Sequence, residues 1–287
     1  MTGQGLLREL AARVVGEEKA RRMWGRLEII GDIAVIRWPP GFTVEELRRI
    51  AELILERLPY VRSVWAASSP VEGSYRLRGF THLAGEERSE TIYKEHGCLF
   101  KVDIRRVYVS PRLCHEHIRI ARLIRDGEVV INMYAGAGLF SIIAARHARP
   151  RRVYSIDINP DAYRFMVENV RLNRVEGIVV PILGDAAKVV SERLRGEADR
   201  ILMPLPSLVL EHLPHALEGL RGGRGYIHAY LHVHAARGED PRSKAVSRLM
   251  DRLGELGARA KPLFTRVVRT VGPRWYQVVV DVYVETV

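Results

Sequence analysis

The segment Val129 to Asp157, VVINMYAGAGLFSIIAARHARPRRVYSID, limits what this 287-residue chain can fold into more than any other. Val129 to Met133 is a short apolar run bounded by turn residues. Ala135-Gly136-Ala137-Gly138 can take a tight turn, Phe140 to His147 suits a helix, and Arg152 to Ile156 is a second apolar strand. The order predicts a βαβ unit with parallel strands. Asp157 closes the second strand roughly 20 residues past the glycines, where a carboxylate can accept hydrogen bonds from both hydroxyls of a nucleoside ribose. Turn glycines alone are also compatible with a plain βαβ unit whose strand-end acids are merely solvated.

Read as a dinucleotide fingerprint, Gly136, Gly138 and Ser141 fit only loosely. Downstream, Asp157-Ile158-Asn159-Pro160 opens a helix carrying Glu168-Asn169 and Asn173, and Ile182-Leu183-Gly184-Asp185 ends a third strand with a second acid. This series resembles the class I S-adenosylmethionine-dependent transferases. The resemblance implies an α/β, Rossmann-like fold whose mostly parallel sheet has an antiparallel C-terminal strand. It also implies that Asp157 holds the ribose and Asp185 receives the adenine amino group. The expected cofactor set is Asn132, Tyr134, Ala135, Gly136, Gly138, Asp157, Ile158, Asn159, Asp185 and Ala186, with S-adenosylmethionine as cofactor.

The length suggests two domains, on a soft expectation of about 150 residues each. No apolar run long enough to cross a bilayer occurs, and the charged opening MTGQGLLRELAARVVGEEKARR is unlike a signal peptide, so a cytoplasmic protein without membrane association is expected. Cys98 and Cys114 show no disulfide-scaffold or metal-ligand spacing and are expected to be free thiols. Forty-five basic against 34 acidic residues, a net charge of +11, point to a nucleic-acid partner. Arginine-rich, amide-poor composition also arises from thermophily, but that does not account for the excess over acids.

The first part reads as a small α+β unit, residues 1–105, followed by a transferase domain, residues 106–287. Glu28 to Trp38 has strand character around a Gly31-Asp32 turn. Thr43 is an N-cap, and Val44, Leu47, Ile50, Ala51, Ile54, Leu55 and Leu58 recur at helical spacing as a core stripe. Strand-like pieces follow at Ser63–Ala66, Thr91–Lys94 and Leu99–Ile104, separated by the polar loop Ala84–Glu90. Ser110-Pro111 starts a basic helix, Arg112 to Arg125. Further on, Arg200–Met203 is a strand ending in Pro204-Leu205-Pro206, where such sheets face their ligand, and Leu208–Leu220 is a helix. Tyr226–Tyr230, Thr265–Thr270 and Tyr276–Val284 are β-runs. His228, His232 and His234 alternate, which suits packing or substrate contact better than a metal, and no metal is expected.

A more specific resemblance rests on Gly73-Ser74-Tyr75-Arg76-Leu77-Arg78, Leu83-Ala84-Gly85-Glu86, Thr91 to Gly97, Phe100-Lys101-Val102-Asp103, Tyr108-Val109-Ser110-Pro111-Arg112-Leu113 and Glu116. From about residue 25 onward the chain resembles the archaeal and eukaryotic tRNA (guanine-37-N1)-methyltransferases and their relatives, the wybutosine-synthesising tRNA aminocarboxypropyltransferases. The resemblance implies a small RNA-binding domain before the transferase domain, acting on the anticodon stem-loop of tRNA; a monomer is expected. It assigns Glu116 as general base and Arg76 as partner of the guanine O6, with Tyr108, Arg112, Leu113, Pro204 and Pro206 lining the base. On spacing alone, Glu116 reads instead as an exposed helical acid paired with Arg112 or Arg119, and Arg76 and Arg78 as phosphate contacts.

Methylating N1 of guanine requires removal of the N1 proton, which suits a carboxylate, and a guanidinium would stabilise the charge that develops on O6. The base must also leave the loop stack to reach the methyl group. Two positions depart from the family. Pro204 stands where an asparagine usually helps hold the guanine, and Asn132 where an aspartate is common. The chain also starts too late for the extra N-terminal domain of many archaeal methyltransferases. Methyl transfer to N1 of guanosine 37 is the expected activity. Aminocarboxypropyl transfer to a tricyclic wyosine precursor and a catalytically weak tRNA-binding homologue are the alternatives.

Overall fold

A computed structural model describes residues 5–24, 26–69, 73 and 75–286, so Ser74 of the Gly73–Arg78 motif lies outside the described residues. The chain divides into two compact units, Met1–Pro111 and Arg112–Val287. Residues 106–111 therefore go with the first unit, beyond the expected boundary at 105. The reason is local: the amides of Arg106 and Val107 bond the Asp103 carbonyl, and Val107 is buried.

In the first unit, α1 (Leu6–Ala20) is interrupted at Gly16 and precedes the hairpin β1 (Glu28–Ile30) and β2 (Ile33–Arg37). The expected Gly31 turn has φ +59, and a Cβ there would lie 2.6 Å from the Ile92 carbonyl oxygen, so only glycine is accommodated. Helix α2 (Val44–Arg57) starts with a full capping box: Thr43 accepts from the Glu46 amide, and Glu46 accepts from the Thr43 amide. Leu47, Ile50, Ala51 and Ile54 of the expected stripe are fully buried, and Val44, Leu55 and Leu58 pack around them. The helix carries the chain to β3 (Ser63–Ala67), parallel to β2, and β4 (Phe80–Gly85) pairs antiparallel with β3 as an edge strand. Strand β4 gave no alternation to read, because only Leu83 of its six residues is buried. β5 (Glu90–Glu95) and β6 (Cys98–Asp103) form a hairpin whose turn residues, His96 and Gly97, both have positive φ.

The second unit opens with α3 (Cys114–Leu123), shorter than the expected Arg112–Arg125 because Pro111–Leu113 form a tighter 3₁₀ turn. Then β7 (Val129–Asn132), α4 (Leu139–His147), β8 (Arg152–Asp157), α5 (Pro160–Leu172), β9 (Val179–Leu183), α6 (Ala186–Arg193), β10 (Arg200–Met203), α7 (Val209–Gly219) and β11 (Arg224–His234) alternate. Helix α8 (Pro241–Glu255) and the long pair β12 (Ala258–Gly272) and β13 (Trp275–Thr286) complete the chain. The sheet order is β12-β13-β11-β10-β7-β8-β9, with β11, β10, β7, β8 and β9 parallel and β13 and β12 antiparallel. Successive strands β7, β8 and β9 run outward on one side, and the chain then returns to place β10 on the other side of β7. The crevice at the carboxyl ends of β7 and β10 is thus the topological switch point, where ligands bind in open α/β sheets.

Strand alternation separates two environments. Ile131, Ile156, Ile201, Ile227 and Val280 form one dry core with α6, α7 and α8. Asn132, Ser155, Arg200, His228, Tyr230 and Asp281 have the opposite parity, and all six are buried. Among the described residues no helix is long and apolar enough to cross a membrane. Replacing Thr43 by Ala removes one arm of the capping box and is expected to lower unfolding free energy by about 1 kcal/mol in denaturant titration. An unchanged midpoint would mean that the cap contributes nothing to this helix.

Candidate functional site

At the switch point the strands end together, with Asn132 level with Ser155 on β8 and Leu202 on β10. The turn that follows is pinned from several sides. The Ala135 amide donates to the Ile156 carbonyl (2.8 Å), and the Asn169 amide nitrogen donates to the Ala137 carbonyl (3.0 Å). Gly138 caps α4 at φ +92, and a Cβ on it would come within 3.1 Å of both Ile142 and Met166. The turn therefore keeps its backbone close to α5, whose sequence supplies Met166 and Asn169.

Asp157 accepts one backbone N–H on each oxygen, from Gly136 at 2.7 Å and from Asn159 at 2.9 Å. Burial pushes this carboxyl above the ordinary aspartate range in spite of those two bonds, because no cation accompanies it among the described residues. Hydroxyl donors would satisfy its remaining lone pairs, so the expected ribose partner fits the site. Ile158 is 44% exposed beside it, and Asn159 caps α5 through the Asp161 amide. Asp185 caps α6 by accepting from the Lys188 amide (3.0 Å), with Ala186 buried behind it.

Other expected residues are occupied within the fold. Asn132 is fully buried, its side chain donating to Ser141 (3.1 Å) while Ser155 donates to the same hydroxyl (2.7 Å). It joins β7, α4 and β8. The Tyr134 hydroxyl lies 2.9 Å from His212 Nδ1, and burial with nearby Asp185 and Glu211 raises its pKa. Pro204 and Pro206 are half-buried just past β10. Arg76 and Tyr108 line one small cavity of the first unit together with Arg78 and Glu28, and Arg76 has φ +57. Leu113 is buried in the 3₁₀ turn, and Arg112 is exposed next to it.

Glu116 is not the exposed helical acid that spacing alone suggests, since it has no solvent exposure. Its Oε2 accepts from Arg119 Nε (3.0 Å), Arg119 Nη2 (2.9 Å) and the Tyr230 hydroxyl (2.8 Å), and its Oε1 accepts from Arg266. Arg119 also donates to Asp281 at 2.5 Å, and Asp281 is bonded to His228 Nδ1 at 2.7 Å. His228 Nε2 lies 2.7 Å from Arg200 Nη1, and Arg200 holds the buried Glu128 through two bonds of 2.8 and 3.0 Å. A guanidinium can only donate, so His228 Nε2 must accept and Nδ1 must carry the proton donated to Asp281.

The chain Arg266–Glu116–Arg119–Asp281–His228–Arg200–Glu128 thus alternates donors and acceptors across one side of the sheet. Burial lowers the His228 pKa, outweighing Asp281, and keeps the ring neutral. Burial opposes the charges of Arg119 and Asp281, but hydrogen bonds to Asp281 and Glu116 shift Arg119 up, and hydrogen bonds from His228 and Arg119 shift Asp281 down. Tyr230 is raised, first by burial and then by Glu116. Sequence reading missed this network beyond Glu116 and Arg119. The available signal was a lone Asp281 inside the run VVVDVYV, since a charge in an apolar strand needs a partner. Among the described residues no group of three His, Cys, Asp or Glu side chains is arranged to hold a metal ion.

A switch-point crevice with a glycine turn, an anchored ribose-type acid and two antiparallel C-terminal strands defines a class I S-adenosylmethionine-dependent transferase. Residues 91–253 match the TRM5/TYW2 methyltransferase domain and residues 7–88 the TYW2 N-terminal domain, and the chain belongs to the TRM5/TYW2 methyltransferase family. It is 44% identical to the tRNA 4-demethylwyosine(37)-methyltransferase Taw21 of Saccharolobus solfataricus, over 91% of this chain and 94% of that protein. It is 38% identical to the tRNA (guanine(37)-N(1))-methyltransferase Trm5b of Pyrococcus abyssi, over 93% of this chain and 77% of that protein. A third relative, the tRNA(Phe) (4-demethylwyosine(37)-C(7)) aminocarboxypropyltransferase of Methanocaldococcus jannaschii, is 33% identical over 69% of this chain and 75% of its own.

Among solved structures, the complex of aTrm5 with tRNALeu superposes with a TM-score of 0.83 at 30% identity, covering 96% of this chain and 77% of that one. M. jannaschii TYW2 in complex with AdoMet gives 0.67 at 26% identity, covering 91% of this chain and all of that one. The cofactor is S-adenosylmethionine.

Because His228 is neutral when folded but titrates near 6.5 when unfolded, the unfolded state binds the extra proton and stability falls as pH drops through that value. Between about pH 7.5 and about pH 5.5, wild type should lose about 1.4 kcal/mol more unfolding free energy than His228→Gln. Parallel stability curves for the two proteins would show that His228 takes up its proton in the folded state.

Proposed function

We propose that this chain transfers the methyl group of S-adenosylmethionine to the base at position 37 of tRNA. The observation that carries the proposal is Glu116, a fully buried carboxylate that acts only as a hydrogen-bond acceptor toward two guanidinium groups and a phenol. Methyl transfer to a neutral base forms one bond to the methyl carbon and breaks the carbon–sulfur bond. For the product to be neutral, the base must give up one proton as the new bond forms. A carboxylate held in acceptor form can take that proton, a role typically worth about 10²- to 10⁴-fold in rate. In this reading Arg76 is assigned to the charge developing on the base, and Tyr108, Arg112, Leu113, Pro204 and Pro206 are assigned contacts with it. Asp157 and the Gly136–Gly138 turn hold the nucleoside part of the cofactor, with Ile158 and Asp185 at the adenine. The net charge of +11 supports a polyanionic substrate gripped through phosphates.

The acceptor base favoured here is 4-demethylwyosine. The 44% identity to a 4-demethylwyosine methyltransferase runs through nearly all of both chains. Pro204 also replaces a side chain that could hydrogen-bond a guanine edge with an apolar ring better suited to a larger, tricyclic face. N1 of guanosine is the second reading, favoured by the Arg112, Leu113 and Glu116 pattern and by the 38% identical Trm5b.

The deciding experiment supplies methyl-labelled or carboxyl-labelled S-adenosylmethionine with two tRNAs, one carrying guanosine and one carrying 4-demethylwyosine at position 37. Methyl label in the tricyclic nucleoside alone is expected. Methyl label in the guanosine tRNA would favour the second reading, and carboxyl label in either would replace methyl by aminocarboxypropyl transfer. Glu116→Gln should retain cofactor and tRNA binding while turnover falls about 10²- to 10⁴-fold, and full turnover would remove Glu116 from the base role. By calorimetry, Asp157→Ala should weaken S-adenosylmethionine binding by at least about ten-fold, the equivalent of one charge-assisted hydrogen bond. Equal affinity would place the ribose elsewhere.

A further inference from the structure

Strand β12 does more than close the sheet. It is the edge strand, it is broken by Pro262 and three register shifts, and it carries Arg259, Lys261, Arg266 and Arg269 with no acid. It also exposes large apolar side chains, Leu263, Phe264 and Val271, and Trp275 lies just across the turn. An edge strand of this length with open aromatics is normally blunted or covered. Here the cations are interspersed with exposed apolar side chains, Phe264 among them.

Phe264 stands out for where it sits. Its register partner on β13 is Asp281, and its ring lies 4.8 Å from the Arg119 guanidinium that binds both Asp281 and Glu116. Two residues on, along the same face, Arg266 is the partner of Glu116 Oε1. Phe264 is nonetheless 42% exposed, and the Arg266 side chain is 43% exposed although its Nε is buried without a partner. An open aromatic ring backed by a fixed guanidinium, next to a half-exposed cation at the lip of a buried carboxylate, is the chemistry that receives an unpaired base and its phosphate. Of the partners of Glu116, Arg119 and Tyr230 are tied into the interior, whereas Arg266 projects from the exposed edge.

We propose that β12 is an RNA-binding edge on which Phe264 stacks the unpaired base entering the Glu116 site, while Arg266 exchanges Glu116 for the adjacent phosphate. The exchange frees Oε1 to accept the departing proton. The inference deepens the proposed function and rests on its assignment of Glu116. The partner is single-stranded RNA of the anticodon loop, because phosphates complement the four cations and a base complements the Phe264 ring.

The test measures binding of a fluorescently labelled tRNA anticodon stem-loop to the full-length protein, at several salt concentrations, alongside steady-state kinetics and calorimetric S-adenosylmethionine binding. Phe264→Leu should weaken stem-loop affinity by roughly ten-fold, with most of the kinetic loss in KM, and Phe264→Tyr should restore it. Arg266→Gln should reduce the slope of log affinity against log salt by about one. Cofactor affinity should be retained in all three variants, which also reports their folding. A Phe264→Leu protein that binds the stem-loop like wild type, or that loses kcat with KM unchanged, would overturn the platform, since Phe264 would then only steady Arg119. Because the primary readout is RNA binding, loss of the base role of Glu116 leaves the test standing, whereas a wild-type protein that binds no stem-loop overturns both readings together.

Discussion

The burial of Glu116 is the constraint on which the transferase unit is organised. A carboxylate removed from water costs several kcal/mol unless donors surround it, so the fold must bring cations to it from distant parts of the chain. Arg119 comes from the same helix, Tyr230 from β11 and Arg266 from β12. Arg119 in turn is a buried cation that needs Asp281, and Asp281 needs His228. Each partner satisfies the previous one and creates the next requirement, until Arg200 and Glu128 close the series under α3. A network of this kind needs its partners in place together, which makes α3, β10, β11, β12 and β13 depend on one another for register.

The two sides of the sheet divide labour accordingly. On the side of α6, α7 and α8 the strands contribute a mainly apolar face, and close packing there sets the rigidity of the unit. On the other side the same strands carry the polar series, and the switch point between β7 and β10 brings the Gly136–Gly138 turn and Asp157 to their carboxyl edge. Asp157 and Glu116 are handled in opposite ways. Asp157 is left with backbone donors and no cation, which keeps it ready for hydroxyl groups, while Glu116 is saturated with side-chain donors.

Much of this was readable in the amino-acid order. The βαβ unit, the capping box at Thr43, the Gly31 turn, the paired acids Asp157 and Asp185 and the antiparallel C-terminal pair are local patterns, and each appears where periodicity and turn chemistry put it. Strand β4 escaped because an edge strand with one buried residue has no alternation. Helix α8 escaped although Asp240-Pro241 marks its start and Ala245, Leu249 and Leu253 its buried stripe, because the remaining positions are so polar that the segment reads as loop. Asn132 shows the opposite limit: its place at the strand end points to the cofactor, and only the structure adds that its amide also joins Ser141 and Tyr134 inside the fold.

By itself, then, the sequence determined the class of the fold, the cofactor edge and the family, because those depend on spacings of a few residues along one strand–turn–helix unit. Only the tertiary structure decided what Glu116 is. Besides Arg119, its partners lie 114 and 150 residues away, and the Asp281 that fixes Arg119 lies 162 residues from that arginine. An isolated acid at i,i+3 from an arginine looks like a solvated pair. Only the pairing of β11, β13 and β12 removes the water and supplies the donors, and with them the exposed ring of Phe264 beside a buried charge.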